Sequence, residues 1–266
     1  MKVKKDWVPS AFTMANIFCG YFSVILSANE KFIQAAWLIV AAAVLDALDG
    51  KIARFTKVAS PFGVEYDSLA DVVSFGLAPS FLAYKAAFSS WGTIGLFISF
   101  GPLVFGSVRL ARFNVRLQGF DKEYFEGLPT PAAAITLATF LIFNYHFWEH
   151  LRWEKVFLFL IILVSVLMVS TIRYETLPTF SLQKESSNRP KIFAFLLGLI
   201  AIIFFPQETF FPLAILYVLS GPARVSWLLV SGSGEKTSKD KVEVNEGNHQ
   251  SAVKKGNPRS SGKGRK

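Results

Sequence analysis

Cysteine is nearly missing from this chain of 266 residues, and Cys19 has no second cysteine to pair with. A disulfide framework and a thiolate metal site are both excluded, and Cys19, inside an apolar run, is a packing residue. A leader-type cleavage site is also missing. Lys2, Lys4 and Lys5 precede the first apolar stretch as they would in a signal peptide, yet no small-residue cleavage site follows it and further stretches do, so it is expected to stay as a helix. Large apolar side chains are scarce in the last 35 residues, Gly232 to Lys266, which hold nine Lys or Arg among Gly, Ser and Asn. Such a segment cannot bury enough surface to offset chain entropy, so 232–266 is predicted to be a disordered basic tail, lying against anionic headgroups or simply solvated. Acids are absent from most of the apolar stretches and gather at one place, which argues against an ion-conducting path and hence against a divalent-cation transporter.

Apolar residues are abundant: 52% of the chain, with a mean hydropathy of +0.40, more than a soluble domain of this size carries. The net charge of +9 would suggest nucleic acid in a soluble protein, but here it sits in loops and tail, so a nucleic-acid partner is not expected. Stretches of bilayer-crossing length recur at 11–28, 33–51, 68–88, 92–111, 129–148, 155–172, 191–206 and 210–229, the seventh short enough to be a tilted or partial crossing. With the amino terminus inside, 24 of the 28 basic residues fall in inside segments and four (Lys31, Lys85, Arg152, Lys155) outside. The expected fold is an all-α integral membrane bundle of about eight helices over residues 1–231, with both termini cytoplasmic, in the cell (inner) membrane.

The second stretch ends Leu45-Asp46-Ala47-Leu48-Asp49-Gly50 and the third begins Tyr66-Asp67-Ser68-Leu69-Ala70-Asp71. Spacings of three and four put each pair of aspartates on one helix face, and the short connection lets the two faces meet at the cytoplasmic surface. An ionised side chain in a membrane helix costs about 2.5–3.5 kcal/mol on insertion scales, and like charges raise that. Either nearby Lys51, Arg54 and Lys57 compensate as a solvated network, or bound cations do. Oxygen-only ligands suit Mg²⁺, Ca²⁺ or Mn²⁺, and four carboxylates suffice for two ions. Helical spacing of all four acids favours the ions. Such a site beside an arginine suits phosphoryl chemistry, and Gly50 and Gly63 permit a nucleotide diphosphate to approach the backbone closely.

Asp46-x-x-Asp49-Gly50-x-x-Ala53-Arg54, eight residues, then Gly63-x-x-x-Asp67-x-x-x-Asp71 resembles the full signature of the CDP-alcohol phosphotransferases. The flanking segments Asn16 to Gly20, Phe62 to Pro79, Arg109 to Asn114 and Gly127 to Ala134 are similar to the membrane-type phosphatidylserine synthases of that family. The likeness covers most of 9–135, departs at Tyr66 and Thr130, where Leu and often Ser are expected, and beyond residue 150 is one of hydropathy alone. It implies that Asp46, Asp49, Asp67 and Asp71 ligate two divalent ions, Mg²⁺ or Mn²⁺, and that Asp71 is also the general base. It further implies that Gly50, Ala53, Arg54 and Gly63 surround the CDP of CDP-diacylglycerol, that L-serine is the acceptor, and that the enzyme is a homodimer among membrane lipids. Other members of the family use glycerol phosphate, inositol phosphate or choline, the alternative acceptors here.

An amino-acid acceptor needs a partner for its carboxylate, and Arg109 and Arg112 end the fourth stretch on the membrane face of the aspartates; ordinary positive-inside anchoring explains them as well. Ser74, Asn114 and Thr130 are weaker acceptor candidates. Asn16, polar inside the first stretch, either reaches the nucleotide or bonds a neighbouring helix. His146 and His150 have metal-ligand spacing but lie beside Trp148 and Trp153, as an interfacial belt does. No paired His-x-Lys motif is present, which argues against a phosphohistidine route. Truncation after Val230 removes no expected span or ligand, so the shortened protein should release CMP at the full-length rate at saturating substrates. A well-folded truncate that cannot do so would show that the tail takes part in the chemistry.

Overall fold

The computed structural model describes residues 10–56, 61–117, 125–174, 198, 201, 202 and 204–231. Two helices form the first hairpin, α1 (Ala11–Ala28) and α2 (Phe32–Thr56). Ser10 caps α1 by accepting the Thr13 N–H at 3.1 Å. The turn between them passes through Glu30 at φ 61°, and Ser23 Oγ donates to the Ala35 carbonyl at 2.9 Å, so the helices run antiparallel. The buried residues of α1 are Thr13, Asn16, Gly20, Ser23 and Ser27, a stripe of small and polar side chains at helical spacing. Met14, Phe18, Tyr21, Phe22 and Ile25 on the same helix are exposed. Small and polar inside with apolar outside is the reverse of a soluble helix and suits lipid as solvent, where packing and interhelical hydrogen bonds hold helices together.

The next helical run reverses on itself. Its first leg comprises α3 (Pro61–Asp71), a π-helical turn Val72–Leu77, α4 (Ala78–Ala83), a second π turn Tyr84–Phe88 and a 3₁₀ turn Ser89–Trp91; its second is α5 (Gly92–Leu117). Gly92 makes the reversal at φ +59°. Across the legs the Leu103 N–H, one residue past Pro102 in the interior of α5, donates to Ser80 Oγ at 3.0 Å. Nearer the ends of the chain segment Asn114 Nδ2 donates to Ser68 Oγ at 3.0 Å, which fixes the antiparallel sense. Thus the start of α3 and the end of α5 lie together. α6 (Thr130–Trp148) is buried around most of its circumference and forms the centre, with Leu137, Leu141 and Ile142 beside Phe157, Ile161 and Val164 of α7 (Glu154–Val169). α8 (Pro206–Val230) completes the described helices.

The sequence pattern contains no signal for one feature: a two-residue antiparallel pair, β1 (Phe125–Glu126) with β2 (Arg173–Tyr174). It ties the α5–α6 connection to the chain leaving α7, helped by Gly127 N–H to the Ile172 carbonyl and Leu128 N–H to the Leu167 carbonyl, both 2.9 Å. Otherwise the described residues are all-helical. Four stretches, Ala11–Ala28, Phe32–Ile52, Phe62–Val115 and Pro206–Trp227, are long and apolar enough to cross a membrane. The expected stretches 129–148 and 155–172 coincide with α6 and α7, whereas ten of the 16 residues of 191–206 lie outside the described residues, as do the whole tail 232–266 and the loop base Lys57. The chain divides into two units, Met1–Gly221 and Pro222–Lys266, and the packing above belongs to the first; the described part of the second is the end of α8 and Ser231.

A Cβ on Gly20 would stand 2.7 Å from the Ser74 Cα, backbone that no rotamer change can move. Gly20→Ala should therefore separate α1 from the π turn and destabilise the protein by about 1–3 kcal/mol, the usual cost of overpacking. The measurement is thermal unfolding in detergent; a wild-type midpoint would show that the close approach is not a constraint.

Candidate active site

Both hairpins deliver their chemistry to the same end of the bundle. Asp46 and Asp49 lie on the last turns of α2, Asp67 and Asp71 on the second half of α3, and α1 begins beside them. One carboxylate oxygen from each of Asp46, Asp67 and Asp71 lies within 4.8 Å of the others. Asp49 stands within electrostatic reach of Asp46 and Asp67. It is held differently from them: Ser10 Oγ donates to its Oδ1 at 2.8 Å, and Thr13 Oγ1 donates to its Oδ2 in a short hydrogen bond.

The first π turn begins immediately after Asp71 and carries Ser74 into the interface with α1, where its Oγ donates to the Asn16 carbonyl at 2.9 Å. Ser74 is fully buried there, a helix-packing contact. The Asn16 side chain is itself fully buried and lies close enough to Asp71 to act on its carboxylate, yet neither its Oδ1 nor its Nδ2 has a hydrogen-bond partner in good geometry. Asp71 Oδ1 and Arg109 Nε are buried and unpartnered in the same way. Each orphaned polar atom costs about 1–3 kcal/mol, more for charged groups, so four of them on three residues around one place mark a site built for a ligand.

On the other side of Asp71, Arg109 is 8% exposed and donates through Nη1 to Thr130 Oγ1 at 3.3 Å. Its guanidinium is within electrostatic reach of Asp71 and of the Tyr217 hydroxyl. Arg112, by contrast, donates through Nη1 to the Val169 carbonyl at 2.9 Å, satisfying one of the unpaired carbonyls that end α7. Asn114 is occupied with Ser68 and, at 3.4 Å, Glu65. Gly50, next in the chain to Asp49, is exposed and Gly63, in the first turn of α3, is half-buried, while the side chains of Ala53 and Arg54 lie outside the described residues. Of the residues expected around the acceptor, Arg109 and Thr130 therefore meet each other beside Asp71, and Ser74, Arg112 and Asn114 are engaged in packing or capping.

Four residues near the site carry no motif. Ser10 and Thr13 look from sequence like a plain N-cap. Tyr217 packs against Tyr174 with ring centroids 5.7 Å apart and planes tilted by 42°, and the Tyr174 hydroxyl donates to the Val218 carbonyl at 3.0 Å. Burial, with Tyr217 beside it, pushes the Tyr174 phenol up to about 12, so it remains a donor. Gly221 is where Tyr174 fits, since a Cβ there would stand 2.5 Å from the ring. Nothing in the spacing of these tyrosines links them to residues of α3 or α5. At the opposite end of the bundle His146 Nε2 lies 3.4 Å from Glu208, far from the aspartates along α6, beside Phe147 and near Trp148.

The donor set fits a divalent cation. Asp46, Asp67 and Asp71 offer hard oxygen ligands only, at mutual distances one ion can span, and Asp71 Oδ1 has no protein partner to compete with a metal.

Comparison with known proteins agrees with this chemistry. The sequence model described as CDP-alcohol phosphatidyltransferase matches residues 6–167. The chain is 41% identical over 225 residues to a CDP-diacylglycerol–serine O-phosphatidyltransferase of Helicobacter pylori, an alignment covering 84% of this chain and 92% of that one. It is 40% identical over 171 residues to an archaetidylserine synthase of Methanothermobacter thermautotrophicus, covering 63% and 69% respectively. To a CDP-diacylglycerol–serine O-phosphatidyltransferase of Mycobacterium tuberculosis it is 33% identical over 201 residues, covering 73% and 68%.

Purified, substrate-free protein should bind Mn²⁺ as followed by electron paramagnetic resonance, and Asp67→Asn should weaken that binding at least tenfold while leaving the protein folded. Unchanged Mn²⁺ binding by the variant would rule out Asp67 as a ligand.

Proposed function

The chain belongs to the CDP-alcohol phosphatidyltransferase family, and on that premise we propose that it transfers the phosphatidyl group of CDP-diacylglycerol to the hydroxyl of L-serine, giving phosphatidylserine and CMP. The donor half of the reading is supported by the aspartate signature at the meeting of α2 and α3. Serine appears in the names of relatives that differ in the lipid they make, and a carboxylate-bearing acceptor matches what the site offers. The observation that carries the acceptor is Arg109: a buried guanidinium with an unpartnered Nε, beside Asp71 and bonded to Thr130. Planar guanidinium recognises a carboxylate through two parallel hydrogen bonds. Choline has no such group.

Asp46, Asp49, Asp67 and Asp71 hold two divalent ions, Mg²⁺ or Mn²⁺, in this reading, and the ions supply charge neutralisation at the diphosphate. Gly50, Ala53, Arg54 and Gly63 receive the CDP group, and Asn16 meets it with its unpaired amide. Asp71 takes the proton of the serine hydroxyl. The hydroxyl oxygen forms a bond to the β-phosphorus as the bond from that phosphorus to the bridging oxygen breaks, and CMP leaves with the bridging oxygen. Arg109 and Thr130 orient serine, while Arg112 holds the end of α7 in place; Ser74 and Asn114 act on the site through the helices they fasten.

The membrane domain spans 1–231 in about eight crossings, with a basic tail over 232–266. Parity supports that number: α7 ends at the aspartate end of the bundle, whereas α8 begins at the opposite end, with Glu208 beside His146. The excess of Lys and Arg on alternate loops supports cytoplasmic termini and an active site on that side of the cell membrane. The family resemblance supports a homodimer.

The test is CMP release from CDP-diacylglycerol with serine and, in parallel, glycerol phosphate, inositol phosphate and choline. Serine alone should stimulate it, and preference for another acceptor would overturn the reading. Arg109→Lys should raise the KM for serine by tenfold or more with little change for the lipid, since removing one partner of a desolvated charge pair costs about 2–5 kcal/mol. Arg112→Lys should instead lower the unfolding midpoint and spare the serine response.

A further inference from the structure

The clamp on Asp49 goes beyond the family signature. Ser10 and Thr13 occupy the cap and first turn of α1, and their hydroxyls reach across to the end of α2, one to each oxygen of the same carboxylate. Capping does not compete with this. The Ser10 oxygen accepts the Thr13 N–H through a lone pair while its proton goes to Asp49. Thr13 is buried, 4% exposed, so its hydroxyl has left water for this contact. A carboxylate has about four lone-pair sites, and two hydroxyl donors use one on each oxygen, leaving the others for a cation. The three remaining aspartates have no matching arrangement in which two side-chain hydroxyls take both oxygens among the described residues. Asp49 would otherwise be pushed away from the cluster by the charges of Asp46 and Asp67.

We propose that Ser10 and Thr13 are positioning residues that hold the Asp49 carboxylate in one orientation at the edge of the aspartate cluster and so set the affinity of the site for its divalent cation. This rests on the reading of the cluster as a metal site. Hydroxyl donors behind a ligating carboxylate act as other outer-shell partners do, whose loss typically costs 10–100-fold in metal affinity. The same contact joins α1 to α2, so cation binding and the seating of the first helix are coupled through one carboxylate.

The test separates positioning from mere helix stapling. Thr13→Val keeps the shape of the side chain and the backbone N–H that Ser10 caps, and removes only the hydroxyl; Ser10→Gly removes the other hydroxyl at a residue type that caps tolerate. Mn²⁺ titration of the substrate-free protein by electron paramagnetic resonance, with unfolding midpoints in metal-free buffer alongside, should show about tenfold weaker binding for each variant. Thr13→Ser should return the affinity to within about twofold of wild type. Wild-type Mn²⁺ affinity in folded Thr13→Val and Ser10→Gly would overturn the proposal, leaving a staple between helices. Weakened binding that Thr13→Ser does not restore would overturn it too, because the methyl group and not the hydroxyl would then be responsible. Wild-type protein that binds no Mn²⁺ at all would defeat the metal reading itself, and this proposal with it; loss of the clamp effect alone leaves that reading standing.

Discussion

Carboxylates from Asp46, Asp67 and Asp71 are brought within 4.8 Å of one another at the ends of helices that are otherwise apolar. Mutual repulsion and the loss of water both oppose this, so two hairpins have to hold the acids against a force that would part them. The fold meets that demand from behind the site. α1 lies against both α2 and the π turn after Asp71, fastened by Ser23 to Ala35, Ser74 to Asn16, and the paired hydroxyls on Asp49. Each fastening depends on backbones approaching closely, which is why Gly20 faces Ser74 and why the buried stripe of α1 is small and polar. Lipid provides no hydrophobic drive between helices, so these hydrogen bonds and short contacts carry the assembly.

The two sides of Asp71 are built from different parts of the chain. α1, α2 and α3 surround one side of Asp71 within the first 71 residues, the donor side in the proposed reading, whereas Arg109 of α5, Thr130 of α6 and Tyr217 of α8 lie on the other, which that reading gives to the acceptor. The small β pair and the bond from Arg112 to Val169 tie the ends of α5 and α7 to the start of α6. In that reading acceptor specificity would change through distant helices while the phosphoryl-transfer machinery stays on one contiguous segment.

How far each part was legible follows from the range of the interactions. The aspartate pairs were readable because i, i+3 and i, i+4 spacing is a property of one helix, and the reversal near Gly92 because apolar stretches 68–88 and 92–111 are separated by so little. The π turn after Asp71 leaves no periodic mark, and the β pair is too short to show alternation. Ser10 followed by Thr13 before an apolar run is a legible cap, but its bond to Asp49, 39 residues on, is not. Arg109 and Arg112 looked equivalent in sequence. They separate only when α7 presents the Val169 carbonyl to one and Thr130 its hydroxyl to the other.

That separation also explains why two arginines stand where one would serve. A guanidinium left buried and partly unpaired is costly, so the end of α5 needs a fastening of its own. Arg112, one turn further along, supplies one by bonding the Val169 carbonyl at the end of α7. One arginine is thereby kept available with Nε unpartnered because its neighbour is spent on structure. Tyr174, bonded to the Val218 carbonyl and seated in the space left by Gly221, does the same for α8, holding Tyr217 toward the guanidinium from the remaining side.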